Sequence, residues 1–165
     1  MLAFAIGLAA QAAPPARMPA DPPRIETKHL TVATSAEARA VVPGSRVSLW
    51  IDVTPKPAMH VYAPEQKDFI PISLRLESRS GVTSHTARFP APETMVSPAT
   101  QDRQRIYSKP FRIVQEVTVG AAARGTVTVK GALKYQACDD SICYAPVTIP
   151  VAWTLELKQP GKVTP

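Results

Sequence analysis

The sequence predicts an all-β fold of antiparallel sheets, and three observations carry that prediction. Apolar and polar residues alternate with a period of two along much of the chain. Eighteen of the 165 residues are proline, and no stretch shows the spacing of an amphipathic helix. Alternation places every second side chain on one face of a strand. Proline at about twice its average usage interrupts helices but suits strand ends and edges. The length fits one domain, and an apolar content of 45% is enough for a core.

Taken in order, the shorter strand candidates are Glu26 to Ala33, Met59 to Ala63 and Val82 to Phe89. Arg46 to Val53 puts Val47, Leu49, Ile51 and Val53 on one face, and Ile70 to Glu77 does the same with Ile70, Ile72, Leu74 and Leu76. Phe111 to Val119 aligns Phe111, Ile113, Val117 and Val119, with Gln115 as a polar exception. Two long runs close the domain. Thr126 to Ala137 turns Val127, Val129, Leu133 and Tyr135 inward, and Val147 to Leu157 turns in Val147, Ile149, Val151, Trp153, Leu155 and Leu157. Half-polar strands of this kind belong to antiparallel sheets with one wet face. Two such sheets packed face to face make an immunoglobulin-like antiparallel β-sandwich. Pro90 to Gln104, with its three prolines, is expected to be the longest irregular segment, and a loop of that length is usually functional or disordered.

Residues 1–12 read as a signal peptide, with an apolar run from Leu2 to Ala10 and a small-x-small site at Ala10-Gln11-Ala12. Residues 13–24 are then a flexible lead-in, 25–157 the folded domain and 158–165 a flexible tail. Export places the chain in the periplasm, where a disulfide persists. No apolar run reaches the roughly 20 residues of a membrane-spanning helix, so no transmembrane segment is expected in the mature chain. The net charge of +6 comes from scattered basic residues, densest at Arg103, Arg105, Lys109 and Arg112. Aromatic residues, at 6%, do not interleave with them, so nucleic-acid binding is not indicated.

The chemistry-bearing feature is the cysteine pair, Cys138 and Cys143, separated by Asp139-Asp140-Ser141-Ile142 between the two long strands. A four-residue hairpin loop built on a type I turn accepts Asp and Ser. It would set the cysteines opposite each other, and Cα atoms of a non-hydrogen-bonded pair, about 4.5 Å apart, lie within disulfide reach. A structural staple is the plain alternative. Chain entropy gives a loop this short only about 2 kcal/mol, against roughly 4.7 kcal/mol for 100 residues, so stability is the weaker reason for the bond. A closed zinc site needs two more ligands, and His29, His60 and His85 show no ligand spacing, so neither a metal nor a cofactor is expected. Met59, His60 and Met95 are the only prompt for copper handling. Asp139 and Asp140 beside Cys138 oppose thiolate formation, since like charge raises a thiol pKa. A pair so placed fits a docking-dependent relay better than a stand-alone oxidant.

The segment from Lys134 to Pro146, with Tyr135-Gln136-Ala137-Cys138, the acidic turn and Cys143-Tyr144-Ala145-Pro146, resembles the N-terminal periplasmic domain of the DsbD-type thiol:disulfide interchange proteins. Pro57 to Pro64 resembles that family's aromatic strand, and Phe89 to Pro92 followed by Ile106-Tyr107 its loop region, so the likeness spans roughly Ile25 to Leu157. It implies a domain of protein-disulfide reductase type that acts through partner proteins. Electrons would come from a thioredoxin-like domain or a membrane electron-carrier reductase and pass to thioredoxin-like periplasmic proteins, including disulfide isomerases and those of cytochrome c maturation. The resemblance gives Cys143 the attacking role and Cys138 the resolving one. It makes Tyr62 an aromatic beside the pair, puts His60 where an aromatic is often found, and counts Tyr144 among the supporting residues. It also maps a mobile cap onto about Glu93 to Gln101, with Met95 and Val96 as apolar cover. Two departures stand out. The best-known members have one more residue between the cysteines and aromatics in the cap, and they continue into membrane and thioredoxin-like domains, so here either the reductant is a separate protein or only the fold has been kept. A reading from another class is a non-catalytic immunoglobulin-like binding module whose disulfide pins the hairpin.

Overall fold

The computed structural model describes residues 23–97 and 101–158. The expected signal peptide, the lead-in through residue 22 and the tail beyond Lys158 lie outside the described residues. Within them the chain is all strand and connection. One sheet runs in the order β1 (Arg24–Glu26), β2 (Leu30–Ala36), β4 (Arg46–Pro55), β10 (Phe111–Val119), β7 (Val82–Ser84). A second runs β3 (Ala40–Val41), β13 (Val147–Leu157), β11 (Thr126–Tyr135), β6 (Ser73–Leu76). A small third sheet, β12 (Ala137–Cys138), β5 (His60–Tyr62), β9 (Arg103–Tyr107), β8 (Glu93–Val96), lies at the functional end. Every pairing is antiparallel except that of β3 with β13.

The alternation read from the sequence is what holds the two larger sheets together. Val47, Leu49, Ile51 and Val53 from β4 are buried in one cluster with Val127, Val129 and Leu133 from β11 and Ile149, Val151, Trp153 and Leu155 from β13. Each such side chain contributes about 1.5–3 kcal/mol by leaving water. Two hydrogen bonds also cross between the sheets: Trp153 Nε1 donates to the Trp50 carbonyl at 3.1 Å, and Thr34 Oγ1 to the Ala152 carbonyl at 3.2 Å. The polar exception Gln115 is 3% exposed, and its amide donates to the carbonyls of His85 and Glu116. The immunoglobulin-like sandwich is therefore present, with the small third sheet added to it.

Several expected strands are divided or shortened, each for a local reason. The single run from Glu26 to Ala33 is two strands, because Thr27 Oγ1 accepts from the amide of Leu30 at 3.0 Å and closes a turn. Ile70 to Glu77 contracts to β6. Pro71 has no amide to offer, and the amide of Ile72 donates to the Tyr62 carbonyl instead. Val82 to Phe89 keeps ladder pairing only through Ser84, with one further bridge between Arg88 and Val114. Pro90 to Gln104, expected to be irregular, contains β8 and the start of β9. These pair with each other, and Glu93 anchors them by accepting from the amide of Ser108 and pairing with Lys109 at 3.2 Å.

Gly131 sits in the centre of β11, paired with Val151 on one side and Leu76 on the other. A Cβ there would lie 2.7 Å from the Arg75 carbonyl oxygen and 2.9 Å from Leu76 Cδ2. The Gly131→Ala substitution is expected to lower stability by about 1–3 kcal/mol through this overpacking, read as a reduced midpoint in urea unfolding.

Candidate functional site

The site begins where β11 ends. Thr126 to Ala137 was expected as one strand, but the ladder to β13 stops at the Tyr135–Val147 pair and that to β6 at Lys134–Ser73. With no neighbour to continue either ladder, the chain passes through Gln136 and pairs anew with β5, Ala137 opposite Val61 and Cys138 opposite His60. Gln136 ties the departure together. Its side chain donates to the Tyr144 carbonyl at 3.0 Å and accepts from the amide of Ile70.

Cys138 and Cys143 form a disulfide across the turn. The Tyr144 amide donates to the Ala137 carbonyl at 2.9 Å, and the Asp139 amide to the Ile142 carbonyl at 3.0 Å. These two bonds bracket the cysteines, which makes them a non-hydrogen-bonded antiparallel pair, the narrow kind. Their Cα atoms are 4.0 Å apart, as the four-residue loop implied. The two sulfur-bearing residues are not equivalent: Cys138 is 1% exposed, whereas Cys143 is exposed.

Asp139 shapes the turn. One carboxylate oxygen accepts from the amides of Ser141 and Ile142, both at 2.8 Å, and the other from the Tyr144 hydroxyl at 2.8 Å. Those donors hold its carboxyl below the usual aspartate range, the Ile142 and Ser141 amides first and the Tyr144 hydroxyl after them. Tyr144 is thus a clamp on the turn, its ring against His29 at 4.5 Å between centroids. Asp140 is exposed at the tip.

Beneath the disulfide lies an aromatic floor. Lys56 to Met59 forms a turn with Ala58 at φ 64°, and β5 follows directly. It places Tyr62, 2% exposed, with its hydroxyl 3.6 Å from Cys143 Sγ. Tyr62 stacks on Phe69 at 4.2 Å and meets His60 edge-on at 5.6 Å. Burial pushes the Tyr62 phenol pKa up, so it remains a hydroxyl donor at neutral pH. His60 is 5% exposed and its Nε2 has no hydrogen-bond partner. Burial pushes its pKa down, with Asp140 and Asp139 acting in the opposite direction.

A cavity of about 170 Å³ brings together both cysteines, His60, Tyr62, Met95 and the two aspartates. Met95, expected as apolar cover, packs on the cluster of Tyr62, Ile106 and Cys138. Val96, its neighbour on β8, points the other way and is 52% exposed. The stretch expected as a cap is a paired strand through Val96, and positions 98–100 lie outside the described residues. Sequence reasoning missed Phe69, Gln104 and Ile106, all of which border the cysteines. Phe69 sits in a segment without periodicity, where only its being aromatic could have marked it. No cluster of three or more His, Cys, Asp or Glu able to hold a metal occurs among the described residues.

A β-sandwich carrying a hairpin disulfide with one buried and one exposed cysteine has the layout of a thiol:disulfide interchange domain. The chain belongs to the family described as the thiol:disulfide interchange protein DsbD, N-terminal, whose model matches residues 27–153. No curated protein sequence matches it. Among solved structures it is similar to the N-terminal periplasmic domain of ScsB from Proteus mirabilis, with a TM-score of 0.55 at 15% identity. That match covers 87% of this chain and 54% of the other, so the chain spans about half the length of that relative. It also matches the reduced DsbD N-terminal domain of Neisseria meningitidis at TM-score 0.48 and 17% identity, over 76% of this chain and 88% of that one.

The Asp139→Ala substitution removes the acceptor of three hydrogen bonds. It is expected to lower the thermal midpoint by a few degrees and to speed amide exchange at Ser141 and Ile142. The pH dependence follows from the sign of the shift. A carboxyl whose folded pKa is depressed stabilises the turn above its unfolded value near 3.9 and loses that contribution as pH falls through the lower folded value. Protection of the two amides should therefore drop below about pH 4 in the wild type and be independent of pH there in the variant.

Proposed function

We propose that this is an exported, periplasmic domain that relays electrons between thioredoxin-like partner proteins through Cys138 and Cys143. The observation that carries the reading is the unequal exposure of the two cysteines. Exchange begins when a thiolate attacks a disulfide sulfur, and access decides which sulfur is attacked. An incoming partner thiolate attacks Cys143 Sγ, a partner–Cys143 bond forms, and the electron pair of the broken bond leaves on Cys138. A second partner thiol then releases Cys143, and the domain holds two thiols. The reverse sequence delivers two electrons to an oxidised acceptor. The donor on this reading is a membrane electron-carrier reductase, and the acceptors are thioredoxin-like proteins, those of cytochrome c maturation among them.

The neighbouring groups fit this assignment. Cys143 is exposed, while Asp139 and Asp140 put negative charge beside Cys138 and disfavour its thiolate until a partner covers them. The alternative of a binding module with a structural disulfide is weaker. Asp139, Tyr144 and the pairing of β12 with β5 already fix the turn, so the bond adds little order to it.

Two measurements test the proposal. The reduction potential of the pair is expected to lie above about −300 mV; a more negative value marks an inert structural bond and removes the relay. The Cys138→Ala variant is expected to accumulate mixed disulfides through Cys143 with exported thioredoxin-like proteins, and Cys143→Ala few or none. Equal trapping by both variants would overturn the assigned roles.

A further inference from the structure

His60 is a buried titratable group that the exchange chemistry above leaves unused. It lies directly opposite Cys138 in the pairing of β12 with β5. Directly opposed residues share one face of a sheet, with Cβ atoms about 4.5–5.5 Å apart. Both residues line the same cavity, and the buried His60 Nε2 has no hydrogen-bond partner. An orphaned ring nitrogen is costly, and its retention needs an explanation.

The disulfide supplies one. Cys138 is 1% exposed, so when it becomes a thiol its nearest route for a proton is a group that lines the same cavity. Asp139 has both carboxylate oxygens engaged by the turn. The Tyr62 hydroxyl faces Cys143 and is held protonated. Met95, Gln104 and Phe69 border the space from the remaining elements and have no titratable group. Asp140 and Asp139 are the charges that bear on the imidazole.

We propose that His60 is the proton acceptor that frees the Cys138 thiol to close the disulfide, and the donor that returns the proton when the disulfide opens. The proposal rests on the exchange reading above. In the closing step the partner is bonded to Cys143. The Cys138 proton passes to Nε2, Cys138 Sγ bonds to Cys143 Sγ, and the partner sulfur leaves as a thiolate with the electron pair of the broken bond. The domain is oxidised by two electrons, the partner's disulfide is reduced by two, and the imidazolium gives its proton to the departing thiolate. In reverse, the imidazolium protonates Cys138 as a partner thiolate opens the bond. Burial keeps the ring neutral at pH 7, which suits it to the accepting role.

Oxidised glutathione is the probe, added to the reduced protein. Cys143 takes up one glutathione, and the lifetime of that adduct, followed by mass spectrometry, reports closure by Cys138. Closure in His60→Gln is expected to be about 10²-fold slower than in the wild type, the low end for general-base catalysis. Wild-type closure is expected to slow as pH falls through an inflection below 6.5, the ordinary histidine value, and His60→Gln is expected to lack that inflection. Added imidazole should restore closure in His60→Ala, which a merely structural role would not allow. Equal lifetimes and equal pH profiles in wild type and His60→Gln would overturn the proton role while leaving the exchange reading intact. The wild-type profile needs no variant to fold, and a profile without the inflection would also overturn it. If Cys138→Ala takes up no glutathione at Cys143, the exchange reading fails and the proton role fails with it.

Discussion

The two-residue pairing of β12 with β5 is the constraint on which the site depends. It takes the chain out of a sheet of the sandwich just before the first cysteine and fixes Cys138 against His60. Burial of Cys138, exposure of Cys143 and the position of both over Tyr62 all follow from that change of partner. Had β11 continued in its own ladder, Cys138 would have followed Gln136 along the rim of the sandwich, away from the aromatic floor.

Around that pairing the polar groups divide the work. Asp139 and Tyr144 hold the turn, and Gln136 holds the point of departure. Few of these groups are free to tune the sulfurs, because most are occupied with backbone amides and carbonyls. What remains near the pair is mainly apolar or aromatic: Tyr62, Phe69, Ile106 and Met95.

Much of the fold was legible because the larger sheets each have one buried face, and period two records that directly. Val47 to Val53 and Ile149 to Leu157 fall on the faces expected of them. The third sheet was less legible. Its strands are short, β5 is buried at every position, and β8 alternates over only four residues. The division at Thr27 was missed because it depends on one side-chain oxygen, and the division at Gln136 because it depends on where neighbouring strands end. In the site, the cysteine spacing foretold the narrow pair and its bond. Phe69 and Ile106 could not be foreseen, since their positions come from long-range packing. Val96, expected as cover, faces outward because alternation along β8 allows only one of Met95 and Val96 to point at the cysteines.

The exposure of Cys143 alone has a kinetic consequence for a relay of the kind proposed. A single accessible sulfur admits a single visitor, so donor and acceptor compete for one landing place and cannot be present together. Turnover must then proceed by substituted-enzyme kinetics, each partner leaving before the next arrives. Throughput is limited by how soon the departing protein lets go, and binding either partner too tightly slows the whole circuit. Among the described residues Ile142 is the one large exposed apolar residue that lines the cavity, which suits it to brief visits.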